Sequence, residues 1–405
     1  MLQPPKRSLL LASLIGIHLF LFVIALWQLP PLQVAPLQKR MKSITNLEKL
    51  ADLEKELIVA ENSIRTSMIQ GVGGILVAIT AYVGYLNYRA LLDKNAADRF
   101  SKAVEQLGND NIHVRLGGIY ALEQIAKDAE EKYYWSVMET LTAYVREKSP
   151  APKEPTDPDD IPPLETDIKA VMTVISRRKY SYGALAEPYR LDLKKVDLRG
   201  LKLPKKANLS GIQFFSSNLQ GVWLGEVNLE QTRFHEAKLQ KAWLRESHFC
   251  GSEFIEANLC QANLVGAKLT NTDFGGADLS KVDLLDAQLQ DSKLVKTILQ
   301  DAVLMGANLE RANLSEADLR NARLGEAILN DVRLSGANLQ GADIHETNLQ
   351  RAKFAKYLIW SDAIDLTWEQ LRQAKNWQQA ELPDYLLQNL PAEEVEEVGN
   401  QEAGE

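Results

Sequence analysis

Seven side chains in this sequence have the chemistry of nucleophiles or metal ligands: the five histidines and the two cysteines. They are His18, His113, His235, His248, His345, Cys250 and Cys260. They form no cluster with the spacing of a metal site, and two cysteines make no disulfide framework. The chain also has no glycine-rich phosphate loop and no nucleophile elbow. The sequence therefore predicts a protein that is not an enzyme and that has no metal or cofactor.

The elements that position most of these side chains are five-residue repeats. Every fifth residue from Leu209 to Phe354 is Leu, Phe or Ile. Two residues before each of these stands Ala, Ser, Thr or Val, with a single Ile. The pattern continues back to Leu193, with a slip of one residue near Pro204. A register kept over this length indicates one continuous repeat domain.

Neither an α-helix nor a flat strand can bury such a pattern. A step of five residues advances a helix by about 500°, a net 140°, so the leucines would face every side. In a flat strand an odd step points successive leucines to opposite faces. The chain must therefore turn once in each repeat, with the leucine and the small residue two before it facing inward. The sequence predicts a β-solenoid.

The phenylalanines indicate how many repeats make one coil. Phe214, Phe234, Phe254 and Phe274 recur at intervals of 20 in the sequence, and Phe354 falls in the same series. A period of 20 corresponds to four repeats per coil, which stacks these rings above each other. Because stacked strands lie ~4.8 Å apart, thirty repeats would form a rod of roughly 36 Å.

The motif Ala-Asn/Asp-Leu recurs through the repeats. It occurs at residues 257–259, 277–279, 307–309, 312–314, 317–319 and 337–339. Residues 191–354 therefore resemble the pentapeptide-repeat proteins, which implies a mainly β fold, a right-handed four-sided β-helix. The N-terminal half is similar to a membrane-anchored bacterial subgroup of that family in residues 99–100, 105–108 and 114–123. This resemblance implies an architecture and no particular activity.

The apolar pattern of the first 97 residues predicts a membrane anchor. No charged residue occurs from Ser8 to Leu37 or from Thr66 to Tyr88. Two transmembrane helices are expected at about 9–29 and 67–88, since ~20 residues of helix cross a bilayer core. A cleaved signal peptide is the alternative for the first, disfavoured by the length of its apolar run. The intervening loop is amphipathic and could associate with a copy of itself.

The side of the membrane on which the solenoid lies is not decided by the charged residues. Six Lys and Arg residues flank the two spans on one side, and six lie in the loop between them. The positive-inside rule therefore gives a tie. Free cysteines fit the cytosol. We expect a multi-pass membrane protein with a cytoplasmic solenoid.

Beyond the anchor, composition and helical spacing divide the chain into further segments. They are a helical module at 98–148, a Pro-rich linker at 149–163, a helix and N-terminal cap at 164–187, the β-solenoid at 188–356, a C-terminal capping helix region at 357–390 and an acidic disordered tail at 391–405. Thr367 is the expected N-cap of the capping helix, with Trp368, Leu371 and Trp377 on its apolar side. A cap is expected because a bare last coil would expose unpaired backbone.

The resemblance to pentapeptide-repeat proteins also implies a possible function, the mimicry of DNA by an acidic rod. The charge of the solenoid tests this idea. Residues 191–354 contain 20 Lys and Arg and 21 Asp and Glu, a net charge of −1. DNA carries one charge per ~1.7 Å, so a mimic needs a dense negative face. The mixed charge therefore disfavours binding to a soluble enzyme by charge mimicry of nucleic acid, and this remains the alternative function.

Two tryptophans indicate where a protein partner could bind. Trp223 and Trp243 occupy the outward position just before an inner leucine and are separated by one period of 20, so they stack on one side. Exposed aromatic pairs are typical of contact surfaces, although the two rings could instead cover each other or pack beneath the helical module. Among outward apolar residues at this position only Val303 shares their side, which predicts no continuous apolar stripe.

These observations favour a membrane-tethered scaffold over an enzyme. The solenoid would present a flat-sided rod to an unknown protein partner, with Trp223 and Trp243 as the candidate contact. We expect no nucleic acid partner. A catalytic site would require a polar pocket between the helical module and the first coils, and the sequence indicates none.

Overall fold

The computed structural model describes residues 21–44, 47–154, 157, 159–184, 187–354 and 366–388. Most of the first predicted span and the whole predicted acidic tail lie outside these residues. The chain divides into two compact units, Met1–Asn95 and Ala96–Glu405.

The anchor region is helical wherever the structure describes it, apart from a few residues between the helices. Helix α1 covers Leu21–Gln33, and after a bend of 44° helix α2 covers Ala35–Met41. Helix α3, Leu47–Leu107, has 61 residues and no break. It includes the predicted amphipathic loop, the second predicted span and the first helix of the helical module. No proline occurs between its ends to break the helix.

One described helix, α3, is long and apolar enough to cross a membrane, and a second is possible if α1 and α2 form one bent span. This rests on length and composition alone. The apolar window of α3 is not buried by other parts of the chain, and Ile69, Ile75 and Val77 are exposed.

The second unit begins with a packed helical module. Helices α4 (Ile112–Asp128), α5 (Glu130–Lys148) and α6 (Thr166–Ser176) contact one another. Asn111 starts α4, because its side-chain oxygen accepts a hydrogen bond from the backbone N–H of His113. The apolar stripes of the three helices supply the buried core of the module.

The repeats form stacked coils. Parallel β-bridges join residues 20 apart along four ladders, from Asn208 and Asn228 up to Arg333 and Lys353. In the first coil the bridged residues are 21 apart, as Asp192 and Gln213 are, which is the slip expected near Pro204. Each side of a coil contributes one bridging residue, so the described coils contain bridges and no longer strands. The predicted period of 20 is therefore confirmed.

The turn expected in each repeat is a tight corner, and its backbone geometry was not predicted from the sequence. The second turn residue has positive φ at every fifth position from Lys206 to Arg351. In most repeats the carbonyl of the inner leucine or phenylalanine accepts a hydrogen bond from the N–H three residues later, as Leu219 does from Val222 at 3.3 Å. This is the geometry of a type II turn, which usually places glycine at the second central position. Many of these corners carry Glu, Lys or Asp instead.

The interior is filled as predicted. The rings of Phe214, Phe234, Phe254 and Phe274 stack with centroids 5.4, 4.6 and 5.0 Å apart and nearly parallel planes. All four are almost completely buried. The small residues at the other inward position leave room for these rings, so the coil closes without a large cavity.

Both ends of the solenoid are covered. At the start, Pro150 forms an antiparallel bridge with Val196, and the N–H of Asn208 donates to the carbonyl of Ser176 at the end of α6. Part of the predicted Pro-rich linker also packs on the coils, where Ile161 lies against Gly200 and Gly221.

The C-terminal cap is shorter than the expected helix. Helix α7 covers only Trp368–Leu371, a 3-10 turn follows at Trp377–Gln379, and helix α8 covers Asp384–Gln388. Thr367 is the N-cap, with a complete capping box. Helix α7 ends early because Lys375 and Glu381 pair with the last coil through parallel bridges to Asn348 and Lys353.

Candidate interaction surface

The residue before each inner leucine determines how a coil corner is stabilised. Its side chain points outward, and where it is Asn or Asp it accepts a hydrogen bond from the backbone N–H two residues later. Asn313 binds the N–H of Ser315 at 3.1 Å, and Asp278 binds that of Ser280 at 2.9 Å. The N–H groups of the other four positions bond to backbone carbonyls. The remaining donor is the N–H of the residue after the inner leucine. The Asn or Asp side chain of the motif accepts its hydrogen bond.

Trp223 and Trp243 stand at this bridging position, where an indole cannot accept such a hydrogen bond. The structure brings the two residues together. Their backbones form one bridge of the ladder, and their rings stack with centroids 5.5 Å apart at 17°. Trp223 is 50% exposed and Trp243 39% exposed. The rings cover each other on one face only and do not pack beneath the helical module.

Charged residues surround the tryptophan pair. The Lys202 ammonium lies 4.7 Å from the centroid of the Trp223 ring, a cation–π contact. Glu226 pairs with Lys205, and Glu246 lies 3.1 Å from Arg245. The indole of Trp243 packs on Gly225, where an added Cβ would meet the ring at 3.3 Å.

These side chains border an open groove of about 320 Å³. The groove exposes apolar rings with charged groups at its rim. That composition is typical of a protein contact and offers no enclosed space for a small substrate.

Elsewhere on the wall, charges are paired between adjacent coils. Arg311 binds Asp291 at 2.7 Å, and Arg351 binds Asp331 at 2.6 Å, each pair one coil apart in sequence. The arginine partner lowers the pKa of both aspartates below its ordinary value. Pairs of this kind alternate the sign of charge along the rod.

The histidines and cysteines of the solenoid are not brought together. Cys250 and Cys260 belong to opposite corners, and burial raises the pKa of both thiols. His235 contacts Glu253 at 2.6 Å and stacks on Phe215 at 4.5 Å. Within the described ranges no three His, Cys, Asp or Glu side chains could hold a metal ion.

A cavity of about 90 Å³ lies among α4, α5 and the end of α6. Its lining includes Ala126, Met138 and Val174. Its two carboxylates are engaged. Glu123 binds Lys127 at 2.9 Å, and Glu130 binds Lys179 at 3.1 Å.

Beside that cavity lies a buried ion pair that the sequence did not indicate. Arg178 and Glu187 are each 1% exposed at the side chain, and their charged atoms are 3.2 Å apart. The hydroxyl of Tyr134 donates to the other Glu187 oxygen at 2.6 Å, and burial raises the pKa of this tyrosine. Burial also lowers the pKa of Arg178. The guanidinium further bonds the Ser210 carbonyl, so the cluster joins the helical module to the first coil.

The comparison with known protein families matches only the repeats. The model of pentapeptide repeats matches in eight copies, over residues 212–251, 251–284, 283–321 and 317–354. No curated protein sequence matches the chain.

Several solved structures are similar over the repeats. HetL of the cyanobacterium Nostoc sp. strain PCC 7120, a pentapeptide repeat protein involved in heterocyst differentiation regulation, is 29% identical. The match covers 48% of this chain and 90% of HetL, with a TM-score of 0.27. The protein alr5209 from Nostoc PCC 7120, also a pentapeptide repeat protein, is 30% identical over 27% of this chain and 84% of its own length, with a TM-score of 0.14.

A trypsin-treated form of QnrB1, a plasmid-mediated fluoroquinolone resistance protein, is 18% identical. The match covers 51% of this chain and 97% of QnrB1, with a TM-score of 0.30. At TM-scores this low, none of these proteins lends its function to this chain. The family assignment rests on the repeat match over residues 212–354 and on coils of four five-residue repeats. The chain belongs to the pentapeptide-repeat proteins, and residues 212–354 are its matched repeat domain.

Proposed function

We propose that the protein is a membrane-tethered scaffold whose pentapeptide-repeat solenoid binds another protein through the side that carries Trp223 and Trp243. The stacked, exposed pair is the observation that carries this proposal. Exposed large aromatic rings on a rigid wall supply contact area at a low cost in conformational entropy. Burial of two tryptophans at the centre of an interface is worth several kcal/mol, about 2 or more for each hot-spot residue.

The tether is supported by α3. A long apolar helix whose surface is not covered by the rest of the chain is stable in contact with lipid. Two spans would make the anchor multi-pass and place the solenoid on the side of the chain ends, in the cytoplasm by our proposal.

The alternative, charge mimicry of nucleic acid, fits the wall less well. Arginine and lysine partners neutralise carboxylates along the ladders, and the repeat domain has a net charge near zero. A mimic needs one negative charge per ~1.7 Å along its face. No ladder or corner of the described coils carries acid at that density, since successive coils are ~4.8 Å apart.

Co-purification from intact membranes tests the proposed function. Cells producing the full chain or its Trp223→Ala, Trp243→Ala variant are crosslinked, and captured proteins are compared by mass spectrometry. We expect a partner that is captured by the parent and lost with the double variant. Ile298→Ala, which removes a 40% exposed apolar side chain on a neighbouring side, is the control and should retain the partner. Equal capture by all three would refute the assignment of this surface.

A further inference from the structure

Further apolar residues recur along the same side of the solenoid beyond the tryptophan pair. Val265, Leu285 and Met305 are the first residues of the corner that closes this side, in three successive coils. Val303 belongs to the ladder of the two tryptophans. Leu285 is exposed, Val303 and Met305 are partly exposed, and Val265 is buried. We call Trp223, Trp243, Val265, Leu285, Val303 and Met305 the apolar stripe.

At the bridging position alone the apolar residues are not continuous, as the sequence indicates, because Asn263 and Asp283 stand between Trp243 and Val303. The first corner residue lies beside the bridging position, and the stripe passes from bridging residues in its first coils to corner residues in later ones. The stripe extends over four steps of ~4.8 Å, about 19 Å.

The second residue of the same corner forms an acidic edge beside the stripe. From residue 226 to residue 346 this position holds only acids and glycines. The residues of the acidic edge are Glu226, Glu246, Gly266, Asp286, Gly306, Glu326 and Glu346. The corner at the other border of this side carries Lys241 and Lys281 at the same position, with Asp301 as its one acid. Acid is thus concentrated at one border of the apolar stripe.

Part of the acidic edge has no counter-ion among the described residues. Glu226, Glu246 and Glu346 are paired with Lys205, Arg245 and Lys375. No ion pair within the described ranges engages Asp286 or Glu326. The Asp286 carboxylate lies over Gly306, where an added Cβ would collide with it. It therefore stands next to Leu285 and Met305, at the border of the stripe.

The spacing of the stripe suits an α-helix. One helical turn rises 5.4 Å, close to the ~4.8 Å between coils, so apolar residues at i, i+4, i+7 and i+11 would each meet one coil. About 19 Å corresponds to about 13 residues of helix at 1.5 Å per residue. Basic residues along one flank of that helix would face the acidic edge.

A membrane surface would fit the apolar stripe less well than a protein helix. Anionic headgroups would meet the acidic edge as like charges, and a rod wall with isolated carboxylates beside Leu285 resists insertion into lipid. The charge pattern favours a cationic protein segment.

We propose that the apolar stripe and the acidic edge form one docking site for a basic amphipathic α-helix of another protein. This inference rests on the proposed function and specifies its partner. Hydrophobic contact with the stripe provides most of the affinity, and the acidic edge fixes the orientation of the helix and repels acidic ones.

A peptide-binding experiment tests this proposal on the full chain in neutral phosphatidylcholine nanodiscs. The probe is a fluorescent helix of about 14 residues made of Leu and Lys in amphipathic order, and binding is followed by anisotropy against empty nanodiscs. A Leu/Glu helix of the same order and a scrambled Leu/Lys peptide are the control probes. We expect the Leu/Lys helix to bind at least about tenfold more tightly than either control, with affinity falling as salt is added.

Two pairs of variants separate the contributions of stripe and edge. Trp223→Ala with Trp243→Ala should weaken binding at least about tenfold. Asp286→Asn with Glu326→Gln should weaken it about threefold and reduce its salt dependence. Glu236→Gln with Glu256→Gln, at the same turn position of another corner, should leave it unchanged. Circular dichroism melting checks that each variant is folded.

Three results would overturn the proposal: no binding above empty nanodiscs, equal binding of the Leu/Glu helix, or equal loss in the control pair. Sedimentation with phosphatidylserine vesicles that depends on both tryptophans would assign the stripe to lipid instead. If the peptide fails while membrane crosslinking still captures a tryptophan-dependent partner, the scaffold stands and its partner is not a basic helix.

Discussion

At the scale of single residues, the side chain before each inner leucine decides what a coil corner can do. Asn and Asp use their oxygen to satisfy the one backbone N–H that the coil leaves without a backbone acceptor, as at Asn313 and Asp278. Where a residue has no such oxygen, this N–H can bond to water, and the side chain is available for contact with another molecule. Trp223 and Trp243 stand at such positions. At these two positions the departure from the motif places large exposed aromatic rings on the wall.

Removal of one corner hydrogen bond should have a measurable cost. We expect Asn313→Ala to lower the free energy of unfolding by about 1 kcal/mol, the usual net value of a hydrogen bond. Arg333→Ala lies one coil further along the same ladder and has no corner bond to lose, so it should change stability by less than about 0.5 kcal/mol. Urea unfolding of both variants gives the comparison, and equal losses would contradict the role assigned to Asn313.

Asp167 makes part of the stability of the helical module depend on pH. Its burial alone would raise its pKa, but hydrogen bonds from Tyr144 at 2.6 Å and Arg115 at 2.7 Å outweigh burial and lower it. A carboxyl group with a lowered pKa in the folded state stabilises above its unfolded pKa of about 3.9. That contribution is lost as the pH falls from there through the folded pKa.

Asp167→Asn should therefore lower stability at pH 7 by about 2 kcal/mol and weaken the acid dependence below about pH 4. Thermal melting from pH 2 to pH 7 measures both effects. Asp128→Asn removes an exposed ion pair with Arg99 and serves as the control, with a change under about 0.5 kcal/mol. A variant at 167 with the acid dependence of the parent would rule out this origin.

At the scale of elements, the coil interior is where sequence and structure agree most closely. The periods of five and 20 predicted the inward leucines, four repeats per coil and the phenylalanine stack, because a solenoid repeats one local geometry and the pattern records it directly. Even the extra residue of the first coil was visible as a slip. The fold of the repeat domain was therefore predictable in detail.

The stack should be sensitive to truncation at its centre. Phe254 lies between Phe234 and Phe274 and also meets Phe249 edge-on at 5.3 Å. We expect Phe254→Ala to lower the free energy of unfolding by about 3–5 kcal/mol through the cavity it leaves. Phe254→Leu, the residue most common at this position, should cost about 1–2 kcal/mol. Chemical unfolding measures the stabilities of the two variants. An alanine variant as stable as the leucine variant would contradict the role assigned to the Phe254 ring in the stack.

Other elements were not predictable, for identifiable reasons. The corners adopt positive φ at Glu and Lys as well as Gly, and no residue type marks such a position. The capping helix is short because tertiary pairing of Lys375 and Glu381 outweighs local helix propensity. Contacts between distant segments, such as Arg178 with Glu187, leave no periodic trace. The apolar stripe was missed because its members are divided between two positions of the repeat.

The junction of helical module and solenoid depends on that buried pair. Arg178→Met or Glu187→Gln alone leaves an unpaired or poorly bonded group inside, and either should cost about 3–5 kcal/mol. The double variant should be more stable than the sum of the two losses predicts, because neither charge is then stranded. The free energies of unfolding of the parent, the two single variants and the double variant together form a double-mutant cycle. Strict additivity would show that the two groups do not interact.

At the scale of the whole molecule, the chain combines a long apolar helix with a repeat wall that has one distinctive side. Most of the wall carries paired charges of both signs. The side of Trp223 and Trp243 differs, since it combines exposed apolar residues with an acidic border. A scaffold that displays one such surface needs no catalytic group, and its specificity follows from the pattern of that side alone.

Site-specific photocrosslinking in intact membranes tests whether the side that carries Trp223 and Trp243 binds a partner. A benzophenone amino acid replaces Leu285 in one variant and Ile298 in another, because these residues are 37% and 40% exposed on neighbouring sides of the same rod. The account predicts a discrete crosslinked partner from position 285 that is lost when Trp223 and Trp243 are alanine, and none from position 298. Equal crosslinking from both positions, or crosslinks at 285 that survive the loss of both tryptophans, would contradict it.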